Sequence, residues 1–269
     1  MIDRALFAHE REESVFAELE LVPFEKQIAH YYAEHRQPGL LPDLYGKTVH
    51  VSASQFKELH DMAGQLAALL DMPLPDIYVY ENFYYTVESK GMADSWIEMS
   101  AKTLIELHPA EVMFLLAKEM CAIKLNHTYY YTLIEELLNV IATNRLPVIG
   151  VAQDVANRVE KVRLYRWIRI SHYTTDNFAY LACGDLAICA GAIVKTVLNN
   201  TFLAQHVNIT EFIKQGERIN ALNGQEHRLS KLDEQVPYAP FRIKSLMAYA
   251  ASARGLKALR KMKHEGMGM

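Results

Sequence analysis

The stretch that most constrains this chain lies between His108 and His127. His108-Pro109-Ala110-Glu111 has the form of a helix start, because proline is pre-set for a first turn and an acid is favoured at the positive end of the helix dipole. From Leu115 the reading stays helical through His127 and on toward Tyr129-Tyr130-Tyr131. Ahead of this helix, Ile77-Tyr78-Val79-Tyr80 is β-branched and aromatic and reads as a strand; Trp96-Ile97-Glu98-Met99 is a second. A polar segment containing Gly91, suited to a turn or bulge, joins them. The expected fold class is therefore α+β, mostly helical, with a small β-sheet beside a central helix.

The flanks read as further helices. Residues 14–36 place Val15, Phe16, Leu19, Leu21, Phe24, Ile28 and Tyr31 at roughly helical spacing, and Gln37-Pro38-Gly39-Leu40-Leu41-Pro42 is expected to break that pattern. Ser52 or Ser54 is the expected cap of a helix running to Leu70, which Asp71-Met72-Pro73-Leu74-Pro75 ends. Leu146-Pro147-Val148-Ile149-Gly150 marks a break between helices. Helical patterns follow over Asp154–Asn177 and Asp185–Asn199, separated at Cys183-Gly184-Asp185. Asn223-Gly224 is a turn, and a last helix is expected from about Phe241 to Lys263.

Composition excludes some classes. A formal charge of −4 and a pI near 6.3 give no electrostatic ground for binding nucleic acid, and the basic stretch Arg254–Lys263 is short and interleaved with apolar residues. The first residues lack the basic start and apolar core of a signal peptide. Leu133–Ala152 and Ala179–Leu198 are interrupted by charges, so no membrane span is expected. Cys121, Cys183 and Cys189 are odd in number and lack zinc-knuckle spacing, which fits reduced thiols and a cytoplasmic location.

The central helix also carries a motif outline. In H-E-x-x-H, two imidazoles one turn apart bind zinc and the glutamate beside the first activates water. Here Glu119 stands at the glutamate position, while Lys118 and Ala122 occupy the histidine positions. Alanine has no donor atom, and a lysine ammonium with a pKa near ~10.4 has no free lone pair at neutral pH. Zinc needs roughly three protein ligands.

Further segments fall in a recognisable order. Leu74-Pro75-Asp76-Ile77-Tyr78-Val79, Ile97–Leu104, Pro109–His127, His172–Asp185 and Val236–Ile243 together resemble the HtpX-like and CAAX-prenyl-protease family of zinc metallopeptidases, in the gluzincin group, and specifically its soluble members. The likeness extends from about Phe24 to Leu259. It implies a gluzincin metallopeptidase-like fold in a single domain over 1–269, with a helical N-terminal part (1–72), a core holding the sheet and the site helices (73–200) and a helical C-terminal part (201–269). It also implies former ligand positions at Lys118, Ala122 and His172, the last in place of a glutamate. Glu119 stands for the water-activating residue, Asp176 for the supporting aspartate, and Val236 for a transition-state histidine.

Four readings of the site follow. Lys118 is expected to supply positive charge where the metal was, neutralising Glu119 and Asp176 in a partly buried cleft; sharper roles make it a base or nucleophile. Cys121, about 60° from Lys118 around the helix, is a candidate to join Glu119, His172 and Asp176 in a rebuilt metal site, or to pair with His172 for acyl transfer. Arg242 is expected as an ion-pair or carbonyl anchor, and His127 is expected to pack away from the site.

The expected function is that of a pseudoprotease: zinc ligands lost, no cofactor, and a residual cleft that binds a peptide or protein partner. The alternative is an enzyme of altered chemistry, either a hydrolase with a rebuilt metal site or a Lys- or Cys-dependent acyl transferase. Trp96–Met99 is the expected edge strand for an extended partner. A homo- or hetero-oligomer, including an obligate subunit of an active homologue, fits the same pattern.

Overall fold

The computed structural model describes residues 2–19, 21–143, 158–222 and 234–264. After a short 3-10 turn at Arg4–Leu6 come α1 (Glu12–Ala17), α2 (Val22–Tyr31), a π-helical segment (Tyr32–Arg36), α3 (Gln37–Lys47), β1 (Thr48–His50) and α4 (Lys57–Leu70). β2 (Asp76–Tyr80), β3 (Val87–Lys90) and β4 (Trp96–Ser100) follow, then α5 (Ala101–Glu106), α6 (Pro109–Lys124) and α7 (His127–Thr143). The remainder is α8 (Arg158–Cys183), α9 (Leu186–Leu198), α10 (Thr201–Ala204), α11 (Ile209–Ala221), α12 (Ala239–Ala251) and α13 (Ala253–His264). The expected α+β class, mostly helical with one small sheet, is what is observed. Among the described residues no helix is long and apolar enough to cross a membrane.

The sheet is mixed, in the order β1-β2-β4-β3. β2 and β4 run parallel, with Ile77 opposite Ile97 and Val79 opposite Met99; β1 and β3 pair antiparallel on the outside. Side chains alternate across a strand. Ile77, Val79, Ile97 and Met99 therefore enter the main core with α4 and α6, while Tyr78 and Trp96 point to the other face and meet Leu44 of α3. A second apolar cluster joins α1, α2, α7 and α8 around Leu133, Ile134, Trp167 and Ile168.

The register corrects the expected edge. Trp96–Ser100 lies inside the sheet, and the edge beside it is β3, the polar Val87-Glu88-Ser89-Lys90. Its polarity hid it: with no alternating apolar residues it reads as a linker. Gly91, at φ +96°, then turns the chain toward β4, and a Cβ there would lie 2.5 Å from the Asp94 carbonyl oxygen.

Other boundaries also differ. Gln37–Pro42 does not interrupt the helical path, because the π turn ends just before Pro38, and Pro38 takes the first turn of α3, where its missing N–H is needed least. Neither serine caps α4: Ser52 bonds back to Gln55, and Phe56 in a left-handed conformation starts the helix. The central helix stops at Lys124, since Asn126 at φ +60° turns the chain and begins α7 one residue later. α8 runs on past Asn177 to Cys183, and the last helix is broken at Ser252. The break at Leu146–Gly150, the start of the Asp154 pattern and the Asn223-Gly224 turn lie outside the described residues.

Candidate functional site

The site is built on α6, whose start is secured as its sequence suggests. His108 Nδ1 accepts from the Ala110 N–H, Glu111 Oε2 accepts from the His108 N–H at 3.0 Å, and Lys195 holds the other Glu111 oxygen at 2.7 Å. Every residue from Glu111 to Ala122 is buried, so the helix is surrounded on all sides. The closely packed neighbour across Lys118–Ala122 is α8, which carries His172 and Asp176.

Two ion pairs occupy this interior. The Lys118 ammonium donates to Glu119 Oε1, with both side chains about nine-tenths buried. Glu119 Oε2 accepts from both the backbone N–H (3.0 Å) and the hydroxyl (2.7 Å) of Ser89 on β3, and that hydroxyl also meets Thr128 Oγ1 at 2.7 Å. Both Glu119 oxygens are thereby engaged. Asp176 is held in a two-point fork by Arg242, Nε to Oδ2 at 2.8 Å and Nη2 to Oδ1 at 2.7 Å. Burial alone would lower the guanidinium's pKa, but the Asp176 charge and hydrogen bond, with Glu119 beyond, hold it above its ordinary value. Lys118 therefore neutralises Glu119, and the charge expected from it at Asp176 comes from Arg242.

The remaining candidates are apolar or neutral. Ala122 puts only a methyl group into the core. His172 stacks on Tyr131 of α7 (centroids 5.4 Å apart, planes at 29°), and its Nδ1 is buried without a hydrogen-bond partner. Burial, then the positive charges of Lys118, Arg242 and His127, keep its pKa well below 6.5. Cys121 is fully buried, and burial followed by the Glu12 charge pushes its thiol well up. A neutral thiol and a neutral imidazole do not form the thiolate–imidazolium pair that acyl transfer uses. Among the described residues no group of three or more His, Cys, Asp or Glu side chains is arranged to hold a metal.

The donor set does not fit zinc. Position 118 presents a protonated amine already bound to Glu119, position 122 presents no donor, and only His172 has a lone pair to offer.

Sequence reasoning missed Ser89, Thr128 and Tyr131, which complete this centre, and a buried network beside it. There Glu12 Oε1 accepts from Arg4 at 2.8 Å and His127 Nε2 at 2.7 Å, and Oε2 accepts from the Thr174 hydroxyl. His127 opens α7 and packs at right angles against Trp167, ring centroids 5.6 Å apart. No local signal marks these contacts, since Glu12 and His127 are 115 positions apart.

The polar pair on α6, its counterpart on α8 and the small sheet alongside meet a similarity in sequence. The chain is 26% identical over 179 residues to plastoglobule-localized metallopeptidase 48, chloroplastic, of Arabidopsis thaliana, covering 65% of this chain and 50% of that protein. The chain is thus similar in sequence to a metallopeptidase, and it spans about half the length of the curated relative it matches. No family model matches it, and no solved structure does.

Proposed function

We propose that this chain is a gluzincin-type, HtpX-like pseudoprotease, in which two ion pairs replace zinc and the residual cleft serves to bind a peptide or protein segment. The observation that carries the reading is the state of Glu119. A general base needs a carboxylate oxygen within reach of the proton it removes. Lys118 holds one oxygen of Glu119 and Ser89 holds the other.

The same contact shapes how a partner is bound. Ser89 turns its N–H away from β4 toward Glu119, and Thr132 of α7 donates to the Gly91 carbonyl at 3.0 Å, so helices α6 and α7 cap this half of the edge strand. The Val87–Glu88 half, with Glu88 exposed, is left to an extended segment.

A quenched-fluorescence peptide library, assayed with and without added zinc and in parallel for binding by fluorescence anisotropy, tests both parts. Binding without cleavage is expected, weakened by Val87→Pro. Zinc-dependent cleavage by the unaltered chain would overturn the pseudoprotease reading; absence of binding across the library would overturn the cleft's proposed use.

A further inference from the structure

The last helix carries a surface that the α6 centre does not use. α13 (Ala253–His264) holds Arg254, Lys257, Arg260, Lys261 and Lys263 and no acid, in a chain whose formal charge is −4. Along the sequence these cations are interleaved with apolar residues, and the fold separates the two. Ala258 and Met262 are fully buried in the main core, and Leu259 packs against it. Lys257, Arg260 and Lys263 are exposed. At 3.6 residues per turn they follow one another around the outward side of the helix over an arc of about 120° and an axial rise of about 9 Å. Leu256, 44% exposed, falls on the same arc between Arg260 and Lys263.

This row is not neutralised by its surroundings. Arg254 stands apart from it, 5.7 Å from the centroid of the Tyr249 ring and sharing a cavity with Arg4, Glu10, Glu12 and Glu13. Among the described residues no carboxylate forms an ion pair with Lys257, Arg260 or Lys263. Single-sign charge of this kind attracts an anionic partner.

The shape of the row narrows the partner. The exposed side of a helix is convex and offers no recess to the side chains of a peptide or a folded protein. A lipid surface needs none, because anionic headgroups move laterally to meet the cations. Roughly four to eight Lys and Arg on an amphipathic helix suit such a surface, and an apolar side chain among them enters the headgroup layer.

We propose that α13 is a peripheral membrane contact, in which Lys257, Arg260 and Lys263 lie along anionic phospholipid headgroups and Leu256 enters the layer between them. The helix keeps its buried stripe in the core and binds as part of the folded chain.

The test is co-sedimentation of the intact protein with phosphatidylcholine vesicles that either contain or lack phosphatidylserine. Binding is expected only where phosphatidylserine is present, and it should weaken as salt is raised. Lys257→Gln/Arg260→Gln/Lys263→Gln, which alters exposed side chains alone, should lower the affinity roughly 100-fold, and Lys257→Arg/Lys263→Arg should preserve it. Leu256→Gln should weaken it several-fold with the charges intact, a loss that binding by charge alone would not produce. Equal sedimentation with both vesicles, none with either, or undiminished binding by the triple variant would overturn the proposal. Binding to polyglutamate in preference to the phosphatidylserine vesicles would overturn it in favour of an acidic protein partner.

Discussion

Glu119 and Ser89 are joined twice: one carboxylate oxygen accepts both the backbone N–H and the hydroxyl of the serine, at 3.0 and 2.7 Å. The C-terminal half of α6 is therefore bolted to the sheet's polar strand through a side chain that the motif outline assigns to catalysis. Hydrogen bonds to charged groups contribute about 1.5–3 kcal/mol. Replacing both charges at once, in Lys118→Met/Glu119→Leu, should speed exchange of the Ser89 amide roughly 10- to 100-fold, the equivalent of that energy. Amides inside β4 should keep their protection. Hydrogen exchange with residue-level readout checks this, and uniform loss of protection across the sheet would show that the contact is not local.

Breaking a buried pair from one side leaves the other charge stranded. Lys118→Met alone should cost about 3–5 kcal/mol of folding stability. Lys118→Met/Glu119→Gln, which keeps an acceptor for Ser89, should cost less than the two single changes together. Urea denaturation of the four species gives the coupling directly, and additive costs would mean that the two side chains do not interact.

The Arg242–Asp176 fork should discriminate between cations. Arg242→Ala strands Asp176, which is 1% exposed, and should cost about 3–5 kcal/mol. Arg242→Lys keeps the charge but not the planar two-point geometry, and should recover only part of that loss. Equal stability of the lysine variant and the unaltered chain in thermal melts would refute a geometric role for the fork.

His172 gives the site a pH signature. Its folded pKa is lowered, so below about 6.5 the unfolded chain takes up a proton that the folded chain refuses. The stability difference is absent above that pH and grows as the pH falls from 6.5 toward the folded pKa, by up to about 1.4 kcal/mol per unit. His172→Gln should flatten this slope between neutral pH and about pH 5. Unfolding free energies measured across that range, with parallel slopes in the two proteins, would count against a neutral buried imidazole.

What the sequence disclosed depends on how local each determinant is. The start of α6 was legible because His108, Pro109 and Glu111 act within one turn, and β2 and β4 were legible from their β-branched and aromatic residues. β3 was not, since its polar residues are held by pairing with β4 and by Glu119 and Thr128 on other elements. The end of α6 was hidden because Asn126 sits in an unbroken polar-apolar pattern and breaks the helix only through its backbone conformation. In the site, Lys118 and Glu119 are neighbours in the chain. The Arg242–Asp176 fork, 66 positions apart, was reached only as an anchor without a named partner.

The continuous burial of α6 from Glu111 to Ala122 sets a rule for how this centre can change. A helix with a wet face can gain or lose a charge singly, because water takes up the difference. Here the Lys118 and Glu119 side chains are about nine-tenths buried, and each is the other's ion-pair partner. Removing either charge alone strands the other, whereas removing both strands neither, so a three-ligand metal centre at 118, 122 and 172 requires the Lys118–Glu119 pair to be undone as well as donors to be added.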